Sequence, residues 1–320
     1  MILSRLAHPR WPRAVAGLLA AVAVLAACGG GTSQYEPFYA QRVFAFGDEL
    51  STLTAAPAGN GRKFSVNGLD EDGNVDCRRQ PIWVQSVALN YGFVFAECNP
   101  DGLEPKAFMF AADGVQTAGV AAQIEVANVQ AGGFRDGDLA TVLAGTNDII
   151  EIYQRYPAET RDALLAEARV RGERLANAVN RLVELGAKVI ISDLPNVGLT
   201  PYALKQKALH NDIDRAALLT DLTTAFNEEL GVNILLDGRY VGLVQADLQF
   251  RGIVQSPPSF GFVNVTQGVC TVALPLCRDD TLVPDGGAFI YLWADDTRIS
   301  SGGQAQLATL AVDRAQRNPF

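Results

Sequence analysis

Phe46-Gly47-Asp48-Glu49-Leu50-Ser51 follows the apolar run Val43 to Phe46, and this short strand ending in a Gly-Asp turn sets the reading of the chain. A run with no polar face belongs to a strand covered on both sides. The pattern recurs. Leu139 to Ala144 leads into Gly145-Thr146-Asn147-Asp148, Lys188 to Ser192 into Asp193-Leu194-Pro195-Asn196, and Phe289 to Trp293 into Ala294-Asp295-Asp296-Thr297-Arg298-Ile299-Ser300. Helical periods lie between them. Arg161 to Leu185 can align Leu164, Leu165, Leu175, Val179, Leu182 and Val183 in one stripe, with Gly186 as its stop. Further helices are predicted over Asp212 to Leu230 and Gly303 to Arg314. Such alternation implies an α/β domain, a parallel sheet covered by helices.

With 320 residues, 48% of them hydrophobic, the chain can fill one large globular domain or two small ones, and it is neither disordered nor fibrous. Its 26 basic and 35 acidic residues give a net charge of −9, and the one Arg cluster without acids lies before residue 14. No nucleic-acid partner is expected of so acidic a body.

Arg5, Arg10 and Arg13 precede an apolar run from Ala14 to Ala27 that is too short for a stable membrane span, so residues 1–27 read as an export signal. Leu25-Ala26-Ala27-Cys28 resembles the bacterial lipobox. The resemblance implies a lipoprotein anchored to the membrane through Cys28, and Gly29 in place of Asp favours the outer membrane of a bacterial envelope. An ordinary secretory signal with an incidental Cys is the alternative. Residues 28–41 read as a flexible tether and 42–320 as one domain with insertions near 69–82 and 245–284.

Cys77, Cys98, Cys270 and Cys277 remain, an even number in an exported chain, which favours disulfides. Three connectivities are open. Cys77 with Cys98 and Cys270 with Cys277 close the shortest loops and are preferred. No spacing suits zinc, no motif suits a cofactor, and Asp70-Glu71-Asp72-Gly73-Asn74 reads as a solvated turn, so neither metal nor cofactor is expected.

Open parallel sheets bind ligands outside the carboxyl ends of their strands, which directs attention to the turns quoted above. In order and spacing they resemble the blocks of the GDSL, or SGNH, esterases and lipases, most closely the branch of exported bacterial phospholipases, haemolysin-like acyltransferases and autotransporter lipases. The likeness extends from about Arg42 to the C-terminus. Phe64 to Gly68 with Trp83-Val84, Asp193 to Pro201, Ala225-Phe226-Asn227 and Phe260 to Thr266 all match family segments. What it implies is a flavodoxin-like three-layer α/β/α fold and ester hydrolysis. Gly114 and Asn147 take the places of the oxyanion donors, and Asp295 that of the triad acid.

Two positions depart from the family. Glu49 stands where the nucleophilic Ser belongs and Arg298 where the base His belongs. A carboxylate attacking an ester would form an anhydride, and Arg keeps its proton at any ordinary pH. Losing such groups costs hydrolases on the order of 10⁴ to 10⁶ in turnover. Together the changes predict an ionic cluster in which Arg298 bridges Glu49 and Asp295 and fills the nucleophile's space. Ser51 is a substitute nucleophile only if it turns toward the site. His210, expected to begin a helix on the ligand side of the sheet, reads as a solvent-facing or capping residue, and is otherwise the one candidate base in the mature chain. Trp83 and Trp293 read as core residues.

The sequence therefore predicts an exported lipoprotein with a hydrolase fold and a disabled centre, a pseudoenzyme that binds an acyl ester, a lipid or an acetylated glycan. An active ester hydrolase or acyltransferase with a non-standard nucleophile, and a purely structural envelope protein, are the alternatives. Oligomeric state is not legible.

Overall fold

The computed structural model describes residues 38–320, so the expected leader, Cys28 and most of the expected tether lie outside the described residues. The first half of the domain runs β1 (Arg42–Gly47), α1 (Trp83–Asn90), β2 (Ala107–Met109), α2 (Thr117–Gln130), β3 (Asp138–Leu143), α3 (Thr146–Gln154) and α4 (Arg161–Glu184). The second half runs β4 (Lys188–Ser192), α5 (Pro201–Leu209), α6 (Arg215–Asn233), β5 (Val241–Val244), α7 (Ala246–Gln255), β6 (Asn264–Gly268), β7 (Tyr291–Trp293) and α8 (Ser301–Arg317).

β1 to β5 form one parallel sheet in the order β2-β1-β3-β4-β5. The apolar runs become its interior: Val43 to Phe46, Leu139 to Leu143 and Val189 to Ser192 are all buried. One covering layer packs α2, α4 and α6 side by side, and the other packs α1 and α7 against α8. Three layers result.

α4 is capped by Thr160, whose side chain accepts from Ala163 N, and it buries Leu164, Leu175, Val179 and Leu182, while Leu165 and Val183 lie at the edge of the stripe. Trp83 and Trp293 are core residues, and Trp293 Nε1 donates to Val265 O at 2.9 Å.

Several expectations shift. The last apolar run does not join the parallel sheet; only Tyr291–Trp293 is extended, and it pairs with β6 in a separate two-stranded ribbon. A three-residue strand carries no signal of which neighbour it will find. The predicted helix at Asp212 starts later, at Arg215, because Asp214 caps it, and the last helix extends to Arg317. Within residues 245–284, Ala246, Phe250 and Ile253 of α7 belong to the main core. Beyond them Val269 and Cys277 build a small outlying core with Val66 and Ala288.

Both disulfides are the local ones, Cys77–Cys98 and Cys270–Cys277. The 69–82 segment is also held from beneath. The buried Lys63 ammonium donates to the carbonyls of Cys77 (3.2 Å), Gln80 (3.1 Å) and Arg79, which satisfies a charge that would otherwise be costly to bury.

Candidate functional site

The sheet order reverses between β1 and β3, and there the two turns meet. Gly47 ends β1 at φ +121°, where a Cβ would stand 1.8 Å from Leu143 O, so only glycine lets the two strand ends lie so close. The Gln123 side chain clamps the turn, accepting from Gly47 N at 2.8 Å and donating to Gly47 O at 2.9 Å. Asp48 then caps a single 3₁₀ turn, Glu49–Ser51, by accepting from Leu50 N at 3.0 Å.

This turn drives Glu49 inward to 2% exposure. Its Oε2 accepts from Gly114 N at 3.1 Å and from Asn147 Nδ2 at 2.9 Å. Its Oε1 lies 3.2 Å from Arg298 Nη2. Both groups that the resemblance casts as oxyanion donors are thus directed at one carboxylate oxygen of the protein itself.

Arg298 is placed by the turn after β7. Asp295 Oδ1 accepts from Arg298 N at 2.7 Å, and its Oδ2 takes Nη1 at 2.9 Å. Asp113 Oδ1 approaches Nη2 at 3.6 Å, and the guanidinium carbon lies 5.9 Å from the Phe64 ring centre. Arg298 therefore bridges Glu49 and Asp295, with Asp113 as a third acid that sequence reasoning missed; its position beside Gly114 was the available signal.

Burial works against the Arg298 charge, but Glu49, Asp295 and Asp113 outweigh it and hold its pKa above the ordinary value. Asp48 is wholly buried, and desolvation, then the Glu49 charge, push its carboxyl well above the usual range. Desolvation and Glu49 likewise raise Asp113. The loop bearing Gly114 is fixed from below. Asp148 Oδ2 accepts from Thr117 N and its Oδ1 from Thr117 Oγ1, both at 2.9 Å, while Arg171 Nη1 lies 3.3 Å from that Oδ1.

The substitute groups do not come to this centre as reactive partners. Ser51 is fully buried, and its Oγ accepts from Trp83 Nε1 at 3.1 Å. His210 does not begin a helix: it is the exposed C-terminal cap of α5, because the chain must leave the helix before Asp214 can cap the next. A groove of about 830 Å³ opens on the Asp295 side, lined by Leu204, Ala208 and Val283 and by Asp296 with its Lys205 partner at 2.6 Å. Among the described residues no group of three or more His, Cys, Asp or Glu is arranged to hold a metal ion.

No protein-family model matches the chain. No curated protein matches it in sequence. Solved structures do. The lipase Lip_vut3 from a goat rumen metagenome superposes with a TM-score of 0.50 at 13% identity, over 87% of this chain and 99% of that one. The acetylxylan esterase Axe2 of Geobacillus stearothermophilus gives 0.43 at 12% identity, over 88% and 97%. A protein of Parabacteroides merdae named as a GDSL-like lipase gives 0.43 at 12%, over 87% and 97%. With the strand order above, the first of these gives the chain a three-layer α/β/α fold shared with that lipase.

Proposed function

We propose that the protein is an exported, lipid-anchored member of the bacterial envelope, outer membrane by preference, in which an SGNH-type fold serves recognition and not hydrolysis. One observation carries this reading: the Glu49 carboxylate sits on the Gly114 and Asn147 donors at 3.1 and 2.9 Å. Preorganised donors accelerate acyl transfer by stabilising charge that develops on the substrate, and here a side chain of the protein already occupies them. The position also lacks a hydroxyl to attack and a neutral base to accept its proton.

Recognition then falls to the groove beside Asp295, whose aliphatic wall and ion-paired rim suit an acyl ester, a lipid or an acetylated glycan. The test is direct. Purified mature protein with p-nitrophenyl acetate should turn over no faster than buffer; turnover abolished by Ser51→Ala or His210→Ala would establish an active hydrolase instead. Calorimetry with short-chain phospholipid and with acetylated oligosaccharide tests the binding half. Absence of heat from both would leave only the structural envelope role.

A further inference from the structure

The end of the domain opposite the Glu49 site carries six exposed apolar side chains, set among exposed acids such as Asp136 and Glu184. Val129 and Val232, close to the C-terminal ends of α2 and α6, are each 79% exposed. Tyr39 ahead of β1, Leu103 ahead of β2, and Leu235 and Leu236 ahead of β5 are all more than half exposed. Helices run antiparallel to the strands they cover, so all six lie at the amino ends of the strands. Contacts fix this placement. Arg42 donates to the carbonyls of Ala131 and Gly133 at 3.0 Å, joining the end of α2 to the start of β1. The Asn180 side chain holds Asn233 O at 2.9 Å and Leu235 N at 2.8 Å, joining α4 to the end of α6.

Isolated exposed aliphatics need no explanation, and the site end has its own in Leu209, Val263 and Leu276. What separates the two ends is the chain. Phe38 is fastened at the amino end by ring contacts with Tyr91 and Phe320, at 6.4 and 5.3 Å between centroids. From Cys28 to Phe38 even a fully extended chain reaches only about 35 Å. A domain of this size has a radius of gyration near 19 Å, hence is roughly 50 Å across, so a lipid on Cys28 cannot be carried round to the far end.

The geometry points to a membrane-facing surface at the amino ends of the strands: Tyr39, Leu103, Val129, Val232, Leu235 and Leu236 rest on the lipid bilayer that holds Cys28, and the Glu49 site faces away from it. This rests on the lipid-anchor reading above. A Tyr at the exit of the tether suits the water–lipid interface, and Lys106, whose ammonium lies 5.7 Å from the Phe93 ring centre, has the stem and head to reach the phosphate layer. The site's ligand would then be met in the aqueous compartment or on a facing structure, not in the anchoring membrane.

The test uses the full chain expressed with its leader, purified in detergent and reconstituted into phosphatidylethanolamine/phosphatidylglycerol vesicles containing dibrominated phosphatidylcholine. Val129→Trp and Leu236→Trp report the amino end; Lys205→Trp, in the groove, reports the site end. Bromine should quench the added fluorescence of the first two by roughly twofold, the effect of burial within the outer ~10 Å of lipid, and leave the third unchanged. Mass spectrometry of the N-terminal peptide reads the anchor separately. An unmodified Cys28 removes anchor and proposal together. A modified Cys28 with quenching at Lys205→Trp, or at no position, overturns the proposal alone, and a dimer in sedimentation with the amino-end residues unquenched assigns that end to a second copy.

Discussion

Glu49 and Asn147 are separated by 98 residues, yet the Asn147 amide donates to Glu49 Oε2 at 2.9 Å. The amide that the family resemblance casts as an oxyanion donor holds a side chain of the protein instead. Seen from Gly114, Asn147 and Arg298, Glu49 resembles the acid product of an ester cleavage that never leaves.

If that carboxylate is the obstacle, removing it should reopen the chemistry. Glu49→Ser with Arg298→His should gain p-nitrophenyl acetate hydrolysis at least on the order of 10-fold above the parent, since Asp295 and both donors are already placed. Neither single change should do so. A double variant that folds and stays silent would mean that Gly114 and Asn147 are not placed to stabilise a substrate.

The cluster should behave as a unit in a double-mutant cycle. Arg298→Met leaves Glu49, Asp295 and Asp113 without their shared cation and should cost about 3–5 kcal/mol. Glu49→Gln keeps some hydrogen bonding and should cost less, about 1–3 kcal/mol. The combined variant should fall short of the sum by about 1 kcal/mol or more, read from urea unfolding midpoints. Strict additivity would show that the pair is not coupled.

Asp193 supplies a pH dependence. It follows β4, its carboxylate accepts from Asp247 N at the start of α7 at 2.9 Å, and burial pushes its pKa from 3.8 up to about 7. The folded state therefore holds a proton that the unfolded chain has released, and stability falls as pH rises from about 4 through about 7. The loss should be on the order of 2–4 kcal/mol. Asp193→Asn should flatten that part of the profile in thermal melts between pH 4 and 8; an unchanged slope would locate the titration elsewhere.

The two disulfides should differ in weight. Cys77–Cys98 spans 21 residues and Cys270–Cys277 spans 7, so chain entropy assigns about 3.3 and about 2.4 kcal/mol. Paired Cys→Ala substitutions compared by denaturant unfolding should reproduce that order. The reverse order would mean that folded-state contacts outweigh loop closure.

The sheet was legible because the ends of β1, β3 and β4 combine unbroken apolar runs with Gly or Asp turns that few other structures tolerate. β7 was misplaced because three residues cannot announce a partner. His210 is the solvent-facing cap the sequence suggested, but of the wrong helix, because a helix end and a helix start, five residues apart, differ only in which side chain caps which backbone. At the site, opposite charges at positions 49 and 298 made their pairing legible, and so was the bridge to Asp295. That Glu49 turns its second oxygen onto Gly114 and Asn147 was not, since it depends on a rotamer chosen by the 3₁₀ turn and by the depth of burial.

One side chain of Glu49 ties together the exit of β1, the loop ahead of α2, the start of α3 and the turn after β7. Four segments far apart in the sequence are thus cross-braced at their meeting point. Any variant that lets these four segments move apart would first have to loosen a keystone, and the ease of that change is set by how firmly the rest of the arch stands without it.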